Sequence, residues 1–127
     1  MITQFRSKRK STGGKYISFR KKTKSSMGRE PIMTKLGDKK LKIIRVRGGN
    51  SKVKLSSINK VNVLDKDSNK YQVVDIMDVV ENTANRNYIK RKILNKGVVV
   101  NTQLGKVKIT SRPGQTGTLN GILIKEQ

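Results

Sequence analysis

Cysteine, histidine and tryptophan are absent from this 127-residue chain, and 8 acidic residues stand against 30 basic ones. Without cysteine there is no disulfide framework, no thiol nucleophile, and no zinc finger or zinc knuckle. Without histidine, imidazole acid/base chemistry is unavailable, so an enzyme would have to use carboxylates, lysines or hydroxyls. Long apolar runs are missing too. None exceeds three residues, as in Val98–Val100 and Ile122–Ile124, against the ~20 that span a bilayer. No hydrophobic segment follows the basic start, so a signal peptide is not expected. An interfacial anchor would need an apolar face, for which the basic start offers only Phe5, Tyr16, Ile17 and Phe19. No phosphate-binding glycine loop of the P-loop kind and no G-x-S-x-G elbow occurs. The absences together predict a soluble intracellular protein with no metal, cofactor, small-molecule substrate or membrane partner.

What is present is positive charge. The formal net charge is +22, and it is spread unevenly. Residues 1–29 hold ten basic side chains (Arg6, Lys8, Arg9, Lys10, Lys15, Arg20, Lys21, Lys22, Lys24 and Arg29) and no acidic one. The remaining residues hold twenty basic against eight acidic, leaving +12. Such a chain repels itself when compact and attracts a polyanion, of which nucleic acid is the commonest. All ten basic groups of the first segment are therefore candidate nucleic-acid contacts.

Residues 1–38 read as a basic, largely unstructured extension, because no sustained apolar period is available to bury there. Glu30-Pro31 reads as an extended or turn dipeptide near its end. The segment nevertheless contains three of the five aromatic residues, Phe5, Tyr16 and Phe19, with few aliphatic neighbours. Aromatics spaced through a basic coil suit stacking on unpaired bases, at ~1–3 kcal/mol per base. Docking back onto the body is the alternative.

From about residue 39 the pattern is that of short strands. In "KIIRVR", Ile44 and Val46 alternate with Arg45 and Arg47. Val53, Leu55, Val61 and Val63 share one parity in "KVKLSSINKVNVLD". "YQVVDIMDVV" reads as a strand, although Val73, Val74, Met77 and Val80 would also suit a helix face. "GVVVNTQ" and "KVKITS" flank Leu104-Gly105 as a hairpin, and "TLNGILI" supplies a last strand. "NTANRNYIKRKIL", opened by Asn82 and Thr83, suits one or two helical turns. Short strands between Gly, Asn and Asp turns predict an all-β, small barrel-like domain over residues 39–127. Its expected core is aliphatic, with Tyr71 and Tyr88 as the only aromatic members.

Several connections combine glycine with cationic or amide groups. "RVRGGN" ends a strand with Gly48-Gly49, which allows backbone amides to approach a phosphate. "TGGK" offers Gly13 and Gly14 in the same way. "SRPGQTG" centres Pro113-Gly114 in an expected type II turn beside Arg112 and Gln115. "ANRNYIKRK" adds Arg86, Lys90 and Arg91. The acidic residues are confined largely to "LDKDSNKY" and "VVDIMDVVEN". Asp65 and Asp67 read as turn formers; Asp75, Asp78 and Glu81 read as partners for surplus lysines, with a magnesium-dependent RNA-processing site as the alternative.

The order of "STGGKY", "GREP", "IRVRGGN", "ENTANRNYIKRKIL", "NKGVVVNTQLGKVKITSRPGQTG" and "NGILI" resembles that of the archaeal and eukaryotic small-subunit ribosomal protein "eight-e" family. The resemblance covers about residues 5–124. It implies a β-barrel-like body with a basic N-terminal extension, without catalytic activity or cofactor. The implied partners are small-subunit ribosomal RNA and neighbouring small-subunit ribosomal proteins, in the cytoplasm. By motif match it makes Gly13, Gly14, Arg45, Arg47, Gly48, Gly49, Asn50, Arg86, Arg91, Arg112 and Gln115 RNA contacts, beside Tyr16 and the basic side chains of the extension. The short chain is similar to archaeal members. Thr83 stands where the family more often has proline, which bears on the turn there. A longer nucleolar ribosome-assembly factor shares the same domain and is the alternative within this class.

Overall fold

The computed structural model describes residue 2 and residues 6–124, so Phe5 lies outside the described residues. The chain divides into two units, Met1–Pro31 and Ile32–Gln127. Within the first, the only regular elements among the described residues are a single bridge between Arg9 and Lys15 and a 3-10 turn at Lys24–Ser26.

Among the described residues, the second unit contains nine strands: β1 (Thr34–Leu36), β2 (Lys40–Arg45), β3 (Ser51–Ile58), β4 (Lys60–Asp65), β5 (Lys70–Glu81), β6 (Ile93–Leu94), β7 (Val99–Thr102), β8 (Gly105–Ile109) and β9 (Asn120–Leu123). One helical turn, α1 (Asn87–Lys90), precedes β6. Strands β4, β5, β7, β8 and β9 close into a barrel, and β2, β3, β1 and β6 form a four-stranded sheet in that order. The all-β, barrel-like expectation holds. Closure comes from β9, which lies parallel to β4 with Asn62 opposite Asn120 and Leu64 opposite Ile122. Thr34–Leu36, which the composition assigns to the extension, instead pairs with both β3 and β6. The buried Thr34 hydroxyl donates to the Leu55 carbonyl at 2.8 Å, so a polar side chain is satisfied inside the sheet.

Alternation builds the core. Leu55, Val61, Val63, Val100, Val107 and Ile109 are each at most 1% exposed, and Ile58, Val74, Ile76, Val79, Leu94, Val98 and Leu119 complete the cluster. Tyr71 does not join them. It stands 74% exposed, and Tyr88 is only half-buried, so the core is aliphatic throughout. The reason lies in parity: Tyr71 pairs with Leu64 on the outward face, while Val63 points inward.

Strand β5 keeps period two only as far as Ile76. The register against β7 shifts at Met77 and again at Val80, so each is an extra residue on the bulged strand. The inward set is therefore Val74, Ile76 and Val79, and Val73, Met77 and Val80 point out. The helix-like spacing of that segment is the trace of two bulges.

Candidate nucleic-acid interface

The β2–β3 connection is built from "RVRGGN". Arg47–Gly49 make a 3-10 turn in which Gly48 has φ 71 and Gly49 φ 73. A side chain at either position would cost roughly 1 kcal/mol or more in this left-handed region. The Val46 amide donates to the Asn50 carbonyl at 2.7 Å and closes the loop, and Asn50 Nδ2 donates to the Arg47 carbonyl at 3.4 Å. Arg45 and Arg47 are exposed on either side of the half-buried Val46, at the end of an edge strand.

The "SRPGQTG" loop lies against the same hairpin. Buried Pro113 accepts the Leu55 amide at 2.9 Å, which ties the loop to β3. A Cβ on Gly117 would come within 2.9 Å of Val53 Cγ1, so only glycine allows this approach. The Arg112 carbonyl accepts the Gln115 amide at 2.9 Å and the Thr116 amide at 3.1 Å. Thr116 Oγ1 donates to the same carbonyl at 3.1 Å. The turn is closed as expected but is not type II. Gly114 is not among the positive-φ glycines, and the Thr116 bond continues the chain in a helical sense. Arg112 and Gln115 are both exposed beside it. Lys52 Nζ donates to Gln115 Oε1 at 3.0 Å across 63 positions of sequence and links the loop to the start of β3, two residues past Asn50.

Lysines of the adjoining strands add to this edge. Lys42 sits directly opposite Lys54, and Ile44 opposite Lys52, in the β2–β3 ladder. Like charges directly opposite destabilise a sheet, and a polyanion over them would reverse that cost. Sequence reasoning missed Lys42, Lys52 and Lys54. Their signal was the period-two lysines of "KLKII" and "SKVKL", visible beside the apolar alternation.

Arg86, Lys90 and Arg91 occupy a different place. Arg86 and Arg91 flank α1 and Lys90 is its last residue, immediately before β6, and β6 is the edge of the sheet opposite β2. The structure thus keeps them apart from Arg45–Asn50. The turn is started by Asn85, whose Oδ1 accepts the Asn87 amide at 2.9 Å, and not by the expected Asn82 and Thr83. Asn82 is buried and holds the preceding bend, accepting the Ala84 amide and donating to Asn95 Oδ1 at 2.9 Å.

In the first unit, the Arg9–Lys15 bridge makes a small hairpin around Gly13 and Gly14. The Lys10 amide donates to the Gly14 carbonyl at 2.8 Å, and Arg9 Nη1 to the Gly13 carbonyl at 2.9 Å. The Arg6 guanidinium lies 4.2 Å from the centre of the Tyr16 ring, and Lys10 Nζ 5.8 Å from it. Arg20 lies 5.2 Å from the Phe19 ring. A cleft of 330 Å³ brings Arg6, Lys8, Lys15, Tyr16, Phe19, Arg20, Lys21 and Lys22 together. Phe19 is 77% exposed. Lys24 begins the 3-10 turn, and Arg29 is exposed near the end of the unit.

Asp65 and Asp78 are engaged locally. Asp65 Oδ1 accepts the Asp67 amide at 3.2 Å, and its Oδ2 accepts Ser68 Oγ at 2.8 Å. Asp75 lies opposite Lys60 in the β4–β5 ladder. Asp78 accepts the Val79 amide at 2.8 Å and pairs with Lys92 Nζ at 3.1 Å, and these contacts lower its pKa. Among the described residues, no three metal-ligating side chains come together. No helix of the described residues is long and apolar enough to cross a membrane.

A family model described as ribosomal protein S8e matches residues 3–124. The chain is 49% identical over 123 residues to small ribosomal subunit protein eS8 of Methanobrevibacter smithii, covering 97% of this chain and 98% of the relative. It is 52% identical over 126 residues to the protein of that name from Methanococcus aeolicus, covering 98% of each. To that of Nanoarchaeum equitans it is 49% identical over 122 residues, covering 96% of each.

Proposed function

We propose, from the premise that this chain belongs to the ribosomal protein S8e family, that it is a non-catalytic constituent of the small ribosomal subunit in the cytoplasm and binds small-subunit ribosomal RNA. The observation that carries this reading is the joined edge of the body. Two glycine-bearing loops carry exposed Arg45, Arg47 and Arg112, and the Lys52–Gln115 bond holds the second loop against the start of β3, beside the facing pair Lys42 and Lys54. Exposed guanidinium groups on a braced loop can fork two hydrogen bonds to a phosphate or a guanine edge. The first unit contributes differently. Its ten cations supply phosphate contacts of little sequence preference, and Tyr16 and Phe19 offer ring faces for unpaired bases. Residues 1–31 act as the RNA-binding extension and the strands as the rigid body.

The test is sedimentation of the native protein with small ribosomal subunits. Co-sedimentation that survives moderately high salt supports the reading. A protein that stays at the top of the gradient at physiological salt overturns it.

A further inference from the structure

The cleft in the first unit is more than a gap between basic side chains. It is built on two braced elements. The Arg9–Lys15 hairpin sets Tyr16 beside Lys8, whose carbonyl accepts the Tyr16 amide at 3.4 Å. In the Lys24–Ser26 turn, Ser26 Oγ donates to the Thr23 carbonyl at 2.9 Å. The stretch between these elements supplies the rest of the lining, from Ser18 to Lys22. The enclosed 330 Å³ lies at the lower end of the ~300–1,000 Å³ of small-ligand sites. Among the described residues, the lining is six cations, four serine or threonine hydroxyls and two rings, with no carboxylate.

The two rings are not equivalent. The Arg6 guanidinium lies 4.2 Å from the centre of the Tyr16 ring, which is 39% exposed. Phe19 is 77% exposed although it lines the same cleft, and it has no polar atom to justify contact with water. We infer that this cleft holds one unpaired nucleotide of a single-stranded RNA, its base laid on Phe19 and its phosphate met by Lys15, Lys21 and Lys22. The inference rests on the reading of this segment as the RNA-binding extension. The lining selects the occupant. Cationic ligands are repelled, and an apolar ligand leaves the cations unanswered. A duplex keeps its base faces stacked and paired, so it has no plane to offer Phe19. An unpaired nucleotide brings a phosphate and a flat π-face in one residue, at a size the cleft admits.

The chain contains no tryptophan, so Phe19→Trp places a single indole reporter in the cleft of the full-length protein. Two probes of equal charge are titrated at one salt concentration: hexauridylate, and a ribose-phosphate hexamer without bases. Hexauridylate is expected to quench the indole emission and to bind roughly tenfold more tightly than the abasic hexamer, the worth of about one stacked base. In Phe19→Ala the tenfold preference should vanish, while binding of the abasic hexamer stays unchanged. Equal affinity for the two hexamers overturns the cleft and leaves charge-driven RNA binding in place. A preference that survives in Phe19→Ala overturns it as well, because the base then stacks elsewhere. Quenching by free uridine monophosphate or by polyglutamate at the concentration that suffices for hexauridylate also overturns it, in favour of a free nucleotide or an acidic peptide. Sedimentation with small subunits is read separately, so its failure would strike the ribosomal reading whatever the hexamers show.

Discussion

Lys52 Nζ donates to Gln115 Oε1 at 3.0 Å, although the two residues are 63 positions apart and belong to different hairpins of the fold. Both side chains are exposed, so the bond adds little to global stability. Its consequence is geometric. It fixes the "SRPGQTG" loop against the start of β3, and with it the distance between Arg112 and the "RVRGGN" turn. Gln115→Leu removes the bond but keeps every charge. The expected result is a loss of ~0.5–1.5 kcal/mol in binding to the cognate ribosomal RNA with no change in salt slope, since no counterion-releasing contact is removed. Lys52→Met should weaken binding and also reduce the slope, by ~0.7–0.9. In the double variant the two losses should not add. Filter binding over a salt series decides, and full additivity would show that the bond organises nothing.

Arg112 tests whether that edge reads RNA or only attracts it. Arg112→Lys keeps the net charge but loses the planar fork. The expected cost is ~1–3 kcal/mol on cognate RNA and much less on unrelated RNA at the same salt concentration. Circular dichroism should show an unchanged fold, because Arg112 is exposed and the turn is held by its carbonyl. Equal losses on the two RNAs would reduce Arg112 to a charge.

The extension should behave in the opposite way. Changing Lys21 and Lys22 to alanine should weaken all RNAs alike and lower the salt slope by about 1.4, at ~0.7 per phosphate on single-stranded RNA. A sequence-dependent loss would instead place these lysines at base edges.

Much of the fold was legible because period two survives wherever a strand has one wet face, as in Val61 and Val63 or Val107 and Ile109. It failed at β5 for a local reason. The extra residues at Met77 and Val80 reverse parity twice within one strand, which mimics a helical spacing. It failed at β1 and β6 for a global one. Two- and three-residue strands have no period, and Thr34–Leu36 is a strand only because β3 and β6 receive it. The same division holds for the site. Each loop announced itself through glycine and arginine, but the approach of Gln115 to Lys52 depends on long-range pairing. Tyr71 was misplaced because its size suggested the core, whereas its parity put it outside.

Gly121 marks a close approach in the barrel. An added Cβ would lie 2.5 Å from Val107 Cγ1 and 3.0 Å from the Lys108 carbonyl oxygen. The carbonyl belongs to the β8–β9 ladder, in which Gly121 lies opposite Ile109, so the backbone cannot retreat without opening the barrel seam. Gly121→Ala is expected to destabilise the body by ~1–3 kcal/mol, an overpacking cost read from the urea midpoint. An unchanged midpoint would mean that β9 shifts freely.

Asp78 supplies a pH-dependent contact beside the first bulge. Its carboxylate accepts the Val79 amide at 2.8 Å and pairs with Lys92 at 3.1 Å, and the amide bond is the larger cause of its lowered pKa. Because the folded-state pKa lies below the ordinary value of 3.8, the ionised form stabilises the fold. That contribution is complete at neutral pH, begins to fall near the ordinary value, and is gone once the pH has dropped through the folded-state value. The side chain is 57% exposed, so solvent and salt keep the gain to a few tenths of a kcal/mol. Asp78→Asn is expected to lower stability slightly at pH 7, and the gap from the original protein should close as the pH falls below about 4. Asp78→Ala should cost more, about 1 kcal/mol, because it removes the acceptor as well as the charge. Urea titrations at several pH values measure both gaps. A gap for Asp78→Asn that widens toward acid would show that the protonated carboxyl, and not the carboxylate, is the form the bulge prefers.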